Sequence, residues 1–359
     1  MLRKTFATIF VLTLLSIFGY GTSGSARAAQ PCTAERGQFL INEGRYEHAL
    51  REFTCVIKAQ PTAVEGYRGR IEAALLLGRY SDALGDYARV TAFVLPAHPD
   101  AQNTILAGYA ARLAVTPKSI PALTGASFAR WWLFDYAQAI HLLNQLLDVR
   151  PNDIYGNLLR GSSRLLLGAT KAKGIADLER AIALAPQSAH VRFIVADAYT
   201  YGQSDPQRAF AEATLALDWG LDTPRIHAIL ASAYLAFDDQ PAAAAHIQRH
   251  IELVTTDLRA AAPIAAGAAL ALDFVPGRTY EIPLPAIAGE TISIITSSDD
   301  FYDSILVLLT PDGSPVVGGD DYDSYFAGFE WVAAVTGNYR LQVTSFESVN
   351  TGELTVTRN

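Results

Sequence analysis

The chain has 359 residues, of which 50% are hydrophobic and 18% are charged, and its formal net charge is −8 at pH 7. This hydrophobic content can bury a substantial core, which excludes a mostly disordered chain, and the length suggests two or three domains. The negative charge argues against nucleic acid as the main partner. Two cysteines are too few for a disulfide-dense scaffold or a cysteine-rich zinc module.

Residues 1–29 have the features of a secretory signal peptide. Arg3 and Lys4 precede an apolar run over residues 6–18, and Ala26-Arg27-Ala28 offers a small-x-small cleavage pattern. The run is shorter than the roughly 20 residues that a membrane span needs, although an uncleaved N-terminal anchor is the alternative. We therefore expect a secreted or extracytoplasmic protein of a bacterial cell envelope, with no membrane span after cleavage.

Residues 30–260 contain a repeat with a period of 34 residues. The motif Gly-Arg-Tyr-x-x-Ala-Leu starts at Gly44 and again at Gly78, and looser copies follow to about residue 256. Each copy predicts two amphipathic helices, in which the glycine ends the first helix in a left-handed conformation and a proline such as Pro151 follows the second. Residues 100–115 predict an additional apolar helix that the repeat does not explain.

This period and residue pattern resemble the tetratricopeptide repeat. The resemblance covers about six units and implies a solenoid of stacked helix pairs, whose first helices line a concave groove for a protein or peptide partner. Ordinary solvated faces are the alternative interpretation for any one groove position. Mapped onto this sequence, the inward polar or aromatic candidates are Gln38, Glu65, Arg68, Glu72, Tyr155, Ser162, His190, Phe193, Asp197, Tyr201 and Ser232.

The two cysteines are predicted to form a disulfide. Cys32 lies at the start of the first helix of the first unit, and Cys55 lies near the end of the second helix. Antiparallel helices bring these ends together, and an exported protein meets oxidising conditions. Two free buried thiols are the alternative.

Residues 261–359 predict an acidic antiparallel β-sandwich, after a boundary between residues 257 and 265. From residue 263 onward the chain contains three arginines, no lysine and thirteen acidic residues. Segments of about ten residues with turn signals such as Pro311-Asp312-Gly313 predict seven or eight strands, and the unbroken apolar run Ile305–Leu309 predicts a strand buried on both faces. The predicted fold class is therefore multidomain, a helical-repeat solenoid followed by a β-sandwich.

The order of motifs in the sandwich, residues 277–280, 289–292, 303–309, 311–313, 319–321 and 337–341, resembles the bacterial pre-peptidase C-terminal domain. This resemblance implies an extracellular accessory or binding module. A competing interpretation is a carbohydrate or cell-surface adhesion module, in which the sandwich binds and the solenoid is a spacer. Its candidate aromatic residues are Phe301, Tyr302, Tyr322, Tyr325 and Phe326.

Acidic residues at one end of the sandwich suggest a weak calcium site. Asp303 precedes the buried strand, and Asp320 and Asp321 follow the next one, so antiparallel pairing would bring their oxygens together. Neighbouring Asp299, Asp300 and Asp323 add to the charge. Turn capping and a contribution to solubility are the alternatives.

The sequence contains no recognised catalytic motif. It has no glycine-rich phosphate loop after a strand, no G-x-S-x-G elbow and no His-Glu-x-x-His. His246 and His250 share one face of a predicted helix, but residue 247 is Ile and no third ligand is evident, so packing or surface roles are favoured over a metal site. We therefore predict a non-enzymatic, protein-binding scaffold or adaptor without a cofactor, calcium aside.

Overall fold

The computed structural model describes residues 31–61, 63–77, 79, 82–83, 86, 109–111, 113–168, 170–275, 277–298, 303–319, 327–345 and 352–359. Helices make up its first part and strands its second. The helices are α1 (Ala34–Asn42), α2 (Tyr46–Ala59), α3 (Val64–Leu76), α4 (Ile120–Trp132), α5 (Tyr136–Val149), α6 (Ile154–Leu167), α7 (Lys171–Leu184), α8 (Ala189–Ala198), α9 (Pro206–Asp218), α10 (Pro224–Ala236) and α11 (Gln240–Val254).

The helices form antiparallel pairs, which confirms the predicted repeat architecture. Units 1, 3, 4, 5 and 6 are the pairs α1/α2, α4/α5, α6/α7, α8/α9 and α10/α11. Helix α3 is the first helix of unit 2, and the described residues of its second helix are 82, 83 and 86. A continuous apolar core extends from Ile71 in unit 2 to Leu230 in unit 6.

A left-handed residue ends the first helix of every unit whose turn is described. Glycine at this position is confirmed for unit 1, while Gly78 lies outside the described residues. Units 3, 5 and 6 adopt the conformation without glycine, at a conformational cost of roughly 1 kcal/mol each. The residues and their φ angles are Gly44 (70°), Phe134 (58°), Gly168 (70°), Ser204 (54°) and Asp238 (62°).

Unit 5 contains one more residue in its first helix than units 4 and 6 do. Fifteen positions separate the N-cap Asp153 from Gly168, and also Thr223 from Asp238, whereas sixteen separate Ser188 from Ser204. The extra residue is taken up by a π-helical turn, Tyr199–Gln203, that continues α8. The turn therefore keeps the second helix of unit 5 in register with the rest of the array.

The predicted disulfide is present in unit 1. Cys32 and Cys55 are bonded, with their Cα atoms 5.9 Å apart. The bond joins the segment before α1 to α2. It therefore ties the start of the first helix to the second helix of the same unit.

The additional helix predicted at residues 100–115 is described only at its end. Residues 109–111 and 113–115 are helical. Tyr109 is buried against α4, where a Cβ on Gly125 would lie only 2.3 Å from the Tyr109 ring. Glycine is therefore needed at this point of α4 for the ring to approach.

The C-terminal part is a sandwich of two sheets with nine described strands, one more than the larger predicted number. The five-stranded sheet has the order β1-β3-β8-β5-β6, and the four-stranded sheet has the order β2-β9-β4-β7. All pairs are antiparallel except β1 with β3. The strands are β1 (Asp257–Ala260), β2 (Ala268–Phe274), β3 (Arg278–Ala286), β4 (Thr291–Ser297), β5 (Ser304–Leu309), β6 (Pro315–Gly319), β7 (Gly328–Val332), β8 (Gly337–Ser345) and β9 (Gly352–Arg358). Since β1 pairs with β3, the sheet begins at Asp257, the first residue of the range in which the boundary was expected.

Strand β5 is buried on both faces, as its sequence predicts. Leu306 and Leu308 face the sandwich core, while Ile305, Val307 and Leu309 pack against unit 6. Helix α11 supplies Ile247 and Ile251 to this contact. The last repeat and the sandwich therefore share a small apolar core, which we call the junction. Within the described residues, no helix has the length and apolar character that crossing a membrane requires.

Candidate partner-binding site

The first helices of the units lie side by side along one face of the array. Helix α3 contacts both α1 and α4, and α8 contacts both α6 and α10. Helices α6, α8 and α10 also pack against the second helices before and after them, as α6 does against α5 and α7. The first helices therefore form a continuous row, and the resemblance to tetratricopeptide repeats implies a partner groove along this row.

The structure moves several predicted groove residues into the core. Tyr155 and Phe193 are 1% and 0% exposed, and Tyr155 packs against Phe128 with 6.1 Å between ring centroids. Ser162 is also fully buried and accepts a hydrogen bond from the Trp131 indole at 3.3 Å. These three assignments are corrected, because neighbouring helices cover the side of the first helix that the repeat pattern marks as inward.

The other predicted groove residues differ in exposure. Glu72 and Asp197 are buried, and Gln38, Arg68 and His190 are partly exposed. Partner contact at these positions stays a prediction, and it is supported only where a side chain reaches the surface. The exposed members are Glu65, Tyr201 and Ser232.

Asp197 and Tyr201 come together around an arginine that the sequence did not single out. The Arg225 Nε donates to Asp197 Oδ1 at 2.9 Å, and the guanidinium lies 4.2 Å from the centroid of the Tyr201 ring. Arg225 is in the first turn of α10, Asp197 is near the end of α8, and Tyr201 is in the π-helical turn. The one-residue insertion in unit 5 therefore helps to form this site. Arg225 was missed because it has no counterpart in the repeated motif.

Tyr136, at the start of α5, belongs to the same region. Burial raises the pKa of the Tyr136 hydroxyl to about 12, and the nearby Asp197 carboxylate adds to the rise while Arg225 opposes it. Residues from units 3, 5 and 6 thus converge there. The Tyr201 side chain remains 45% exposed. A ring held against a guanidinium can stack on a planar or apolar group of a partner.

Exposed apolar side chains recur where the first helix of a unit turns into the second. Phe134 and Gly168 are the left-handed turn residues of units 3 and 4. In each of units 3 to 6, an exposed apolar residue either is the left-handed turn residue or lies within three positions of it. Successive turns lie along one edge of the array, because the units stack in parallel. We call this set the turn edge, and it consists of Phe134, Leu167, Tyr201 and Phe237. A correct turn register would have revealed it from sequence.

Arginine and carboxylate pairs tie neighbouring helices together inside the repeats. In unit 4, Arg160 donates to both oxygens of Asp177 at 2.8 and 2.7 Å and to Asn144 of the preceding unit at 3.1 Å. In unit 2, Arg70 donates to both oxygens of Asp86 at 2.6 Å. Bidentate pairs of this kind fix helix positions. These charges are used within the fold, so the turn edge is the stronger candidate for partner contact.

The remaining predicted sites have different outcomes. Strands β5 and β6 pair antiparallel with Leu306 opposite Gly319, which is the pairing that the calcium prediction required. Asp303 is described, but Asp320 and Asp321 are not, so calcium binding stays a prediction; no metal-binding group of three ligands occurs among the described residues. The five aromatic candidates for glycan binding and Asp299, Asp300 and Asp323 also lie outside the described part of the chain.

No family model matches the sequence, and no curated protein matches it. Similar solved structures include TTC0263, a tetratricopeptide repeat protein of Thermus thermophilus, with 24% identity, coverage of 56% of this chain and 97% of that chain, and a TM-score of 0.33. PilW, a type IV pilus biogenesis factor, has 14% identity, coverage of 60% and 89%, and a TM-score of 0.37. The pre-peptidase C-terminal domain of a Bacillus anthracis collagenase has 12% identity, coverage of 29% and 95%, and a TM-score of 0.25. The fold assignment rests on the helix pairs and sheets themselves.

Proposed function

We propose that this protein is an exported, non-enzymatic scaffold that binds a protein partner along the turn edge and the adjoining face of its first helices. The observation that carries this proposal is the set of exposed apolar side chains that recurs at the same edge in units 3 to 6. Apolar and aromatic side chains held on a rigid array are typical of protein-binding surfaces. The Tyr201 ring, held against Arg225, is the expected centre of the contact.

Export is part of the same proposal. The signal-like residues 1–29 suggest it, and the Cys32–Cys55 bond supports it because disulfides persist in oxidising compartments. The mature chain would then begin near residue 30 and act outside the cytoplasm. The sandwich would serve as an accessory module attached to the last repeat.

Site-specific photo-crosslinking on the full chain tests the binding surface. A benzophenone amino acid is placed at Tyr201, and in a control protein at Trp219, an exposed aromatic at the opposite edge of unit 5. We expect one defined protein adduct from position 201 and none from position 219. Equal adducts from both positions, or none from either, would contradict a surface at the turn edge.

Substitution gives the matching affinity measurement. Tyr201→Ala with Phe237→Ala should weaken capture of the crosslinked partner about tenfold or more, because truncating central aromatic residues typically costs over 1 kcal/mol each. Trp219→Ala should leave the affinity unchanged. Retention on glycan that is unaffected by either change, with no protein adduct, would support the sandwich as the binding module instead.

A further inference from the structure

Unit 6 carries two histidines where unit 5 carries an ion pair. Seven residues after the N-cap of the second helix, unit 5 has Glu212 and unit 6 has His246. Four residues after the N-cap of the first helix, unit 5 has Arg192 and unit 6 has His227. Arg192 donates to Glu212 at 2.7 Å. The same two positions in the last repeat therefore hold two imidazoles, whose ordinary pKa is 6.5.

The two imidazoles share a single hydrogen bond. Their Nδ1 atoms are 2.7 Å apart, and the His227 Nε2 lies 2.8 Å from Asp222 Oδ1. Because the Asp222 carboxylate accepts from Nε2–H, neutral His227 presents a lone pair at Nδ1, and His246 donates its Nδ1–H to it. The His246 ring also stacks on Tyr234, with 5.4 Å between centroids.

This geometry tolerates one added proton but not two. A first proton can reside on His227, beside the Asp222 carboxylate, if His246 changes tautomer and accepts the shared hydrogen bond. A second proton would place two N–H groups and two positive charges face to face at 2.7 Å. The pair must then separate, because neither nitrogen retains a lone pair and like charges repel.

The surroundings do not compensate for that second charge. Asp222 is already paired with Arg249 at 2.7 Å, and Glu252 on α11 pairs with the same arginine at 3.0 Å. Beyond the effect of burial, the positive charge of Arg225 on α10 further lowers the pKa of His250, whose Nδ1 donates to the Pro224 carbonyl oxygen at 3.0 Å. From the sandwich, β5 and β6 present only apolar side chains and Gly318 to α11.

Helix α11 links this pair to the junction. His246 and His250 face α10, while Ala244, Ile247 and Ile251 belong to the core shared with β5. A movement of α11 away from α10 therefore also disturbs its contact with the sandwich. We propose that the His227–His246 pair makes this junction acid-sensitive, so that a second proton on the pair separates α11 from α10 and uncouples the sandwich from the repeats.

The direction of the pH effect follows from burial. Burial lowers the pKa of His246 to about 4, with the neighbouring His227 contributing, and burial lowers the pKa of His250 to about 4 as well. Both groups bind a proton more readily in the open state, where the ordinary value is 6.5. The stability that they contribute is therefore complete above pH 6.5 and is lost as the pH falls toward 4.

Hydrogen exchange of the full chain at pH 7.5 and pH 4.5, corrected for intrinsic exchange rates, measures the opening. A pKa shift from 6.5 to about 4 raises the opening constant roughly 70-fold for one histidine between these pH values, and partial exposure of His246 reduces this to about tenfold or more. We expect that increase in α11 and β5, but not in α6 and α7, which contain no histidine. An equal response in both regions of the wild type would overturn the proposal.

Two variants and a control complete the test. His246→Gln cannot take up the second proton, and His227→Arg with His246→Glu installs the pair of unit 5, so both should reduce the selective opening at pH 4.5 about tenfold, while His250 keeps its own contribution. His141→Gln changes an exposed histidine on α5 and should keep the wild-type response. An opening at pH 4.5 as large as that of the wild type in both variants, with normal protection of α11 at pH 7.5, would refute the role of the pair.

Discussion

Truncation of Ile247 to alanine is the most direct perturbation of the junction. Ile247 lies on α11, and its side chain is fully buried against α10 and β5. Its Cδ1 lies over β6, where a Cβ built on Gly318 would be only 2.6 Å from it. Glycine has no side chain that could move into the space left by the missing atoms. We therefore expect a cost in the upper part of the usual range for such truncations, about 3–5 kcal/mol.

The cost should appear as local opening before global unfolding. A loss of about 3 kcal/mol corresponds to a roughly 100-fold increase in an opening equilibrium. Hydrogen exchange at pH 7.5 should show this increase in β5, β6 and α11. Leu178→Ala is a matched control, because Leu178 is equally buried and its Cδ2 lies 2.8 Å from the position of a Cβ on Gly161. That control should open α6 and α7 and leave β5 protected.

A second substitution tests the contact itself. Gly318→Ala alone should be destabilising, because the new methyl group overlaps Ile247 and lies 3.1 Å from the Leu306 carbonyl oxygen. In the Ile247→Ala background the overlap with Cδ1 is gone, so the same change should cost less by about 1 kcal/mol or more. Strictly additive free energies of unfolding, or β5 protection unaffected by Ile247→Ala, would refute the packing described here.

Three further measurements test the repeats. Gly168→Val should lower the free energy of unfolding by about 1–3 kcal/mol, since a β-branched residue is strongly disfavoured at positive φ although a Cβ there meets no neighbour. Ser204→Gly should raise the melting temperature, because it relieves the same strain at φ 54° at an estimated gain of up to about 1 kcal/mol; a lower melting temperature would contradict this. Cys32→Ser should lower the free energy of unfolding by about 3 kcal/mol, because the unfolded chain is no longer restricted by a bond between cysteines 23 positions apart. Hydrogen exchange in α1 that matches the wild type would show that the bond is not needed to hold that helix.

Features set by local chemistry could be predicted from the sequence. The helix pairs, the left-handed Gly44, the Cys32–Cys55 bond and the double burial of Ile305–Leu309 all follow from periodicity, turn chemistry or composition. The left-handed conformations of Phe134 and Ser204 could not be predicted in this way, because the intrinsic preference of each residue opposes them. They are held by the position that the turn occupies in the array, which is a tertiary effect.

Exposure at the groove was the weakest part of the prediction, for a geometric reason. A helical period shows which residues share a face, but it does not show how far neighbouring helices extend over that face. Tyr155 and Phe193 share the inward face with exposed positions, yet they are covered because α6 and α8 lie deep between their neighbours. The contacts of Arg225 with Asp197 and Tyr201 join different units, and a motif repeated within each unit carries no information about them.

The two ends of the repeat array are closed in different ways, and the sandwich has a structural role at the C-terminal end. A solenoid of stacked units leaves an apolar surface on its last helix, and such arrays ordinarily need a polar terminal unit to cover it. Here Ala244, Ile247 and Ile251 on α11 stay apolar, and β5 covers them with residues of its own outer face. The absence of charge on that face of β5 and the glycine at position 318 both fit a surface shaped to receive a helix. The sandwich therefore acts as the C-terminal cap of the repeats, so any change in unit 6 that moves α11 must also affect the attachment of the second domain.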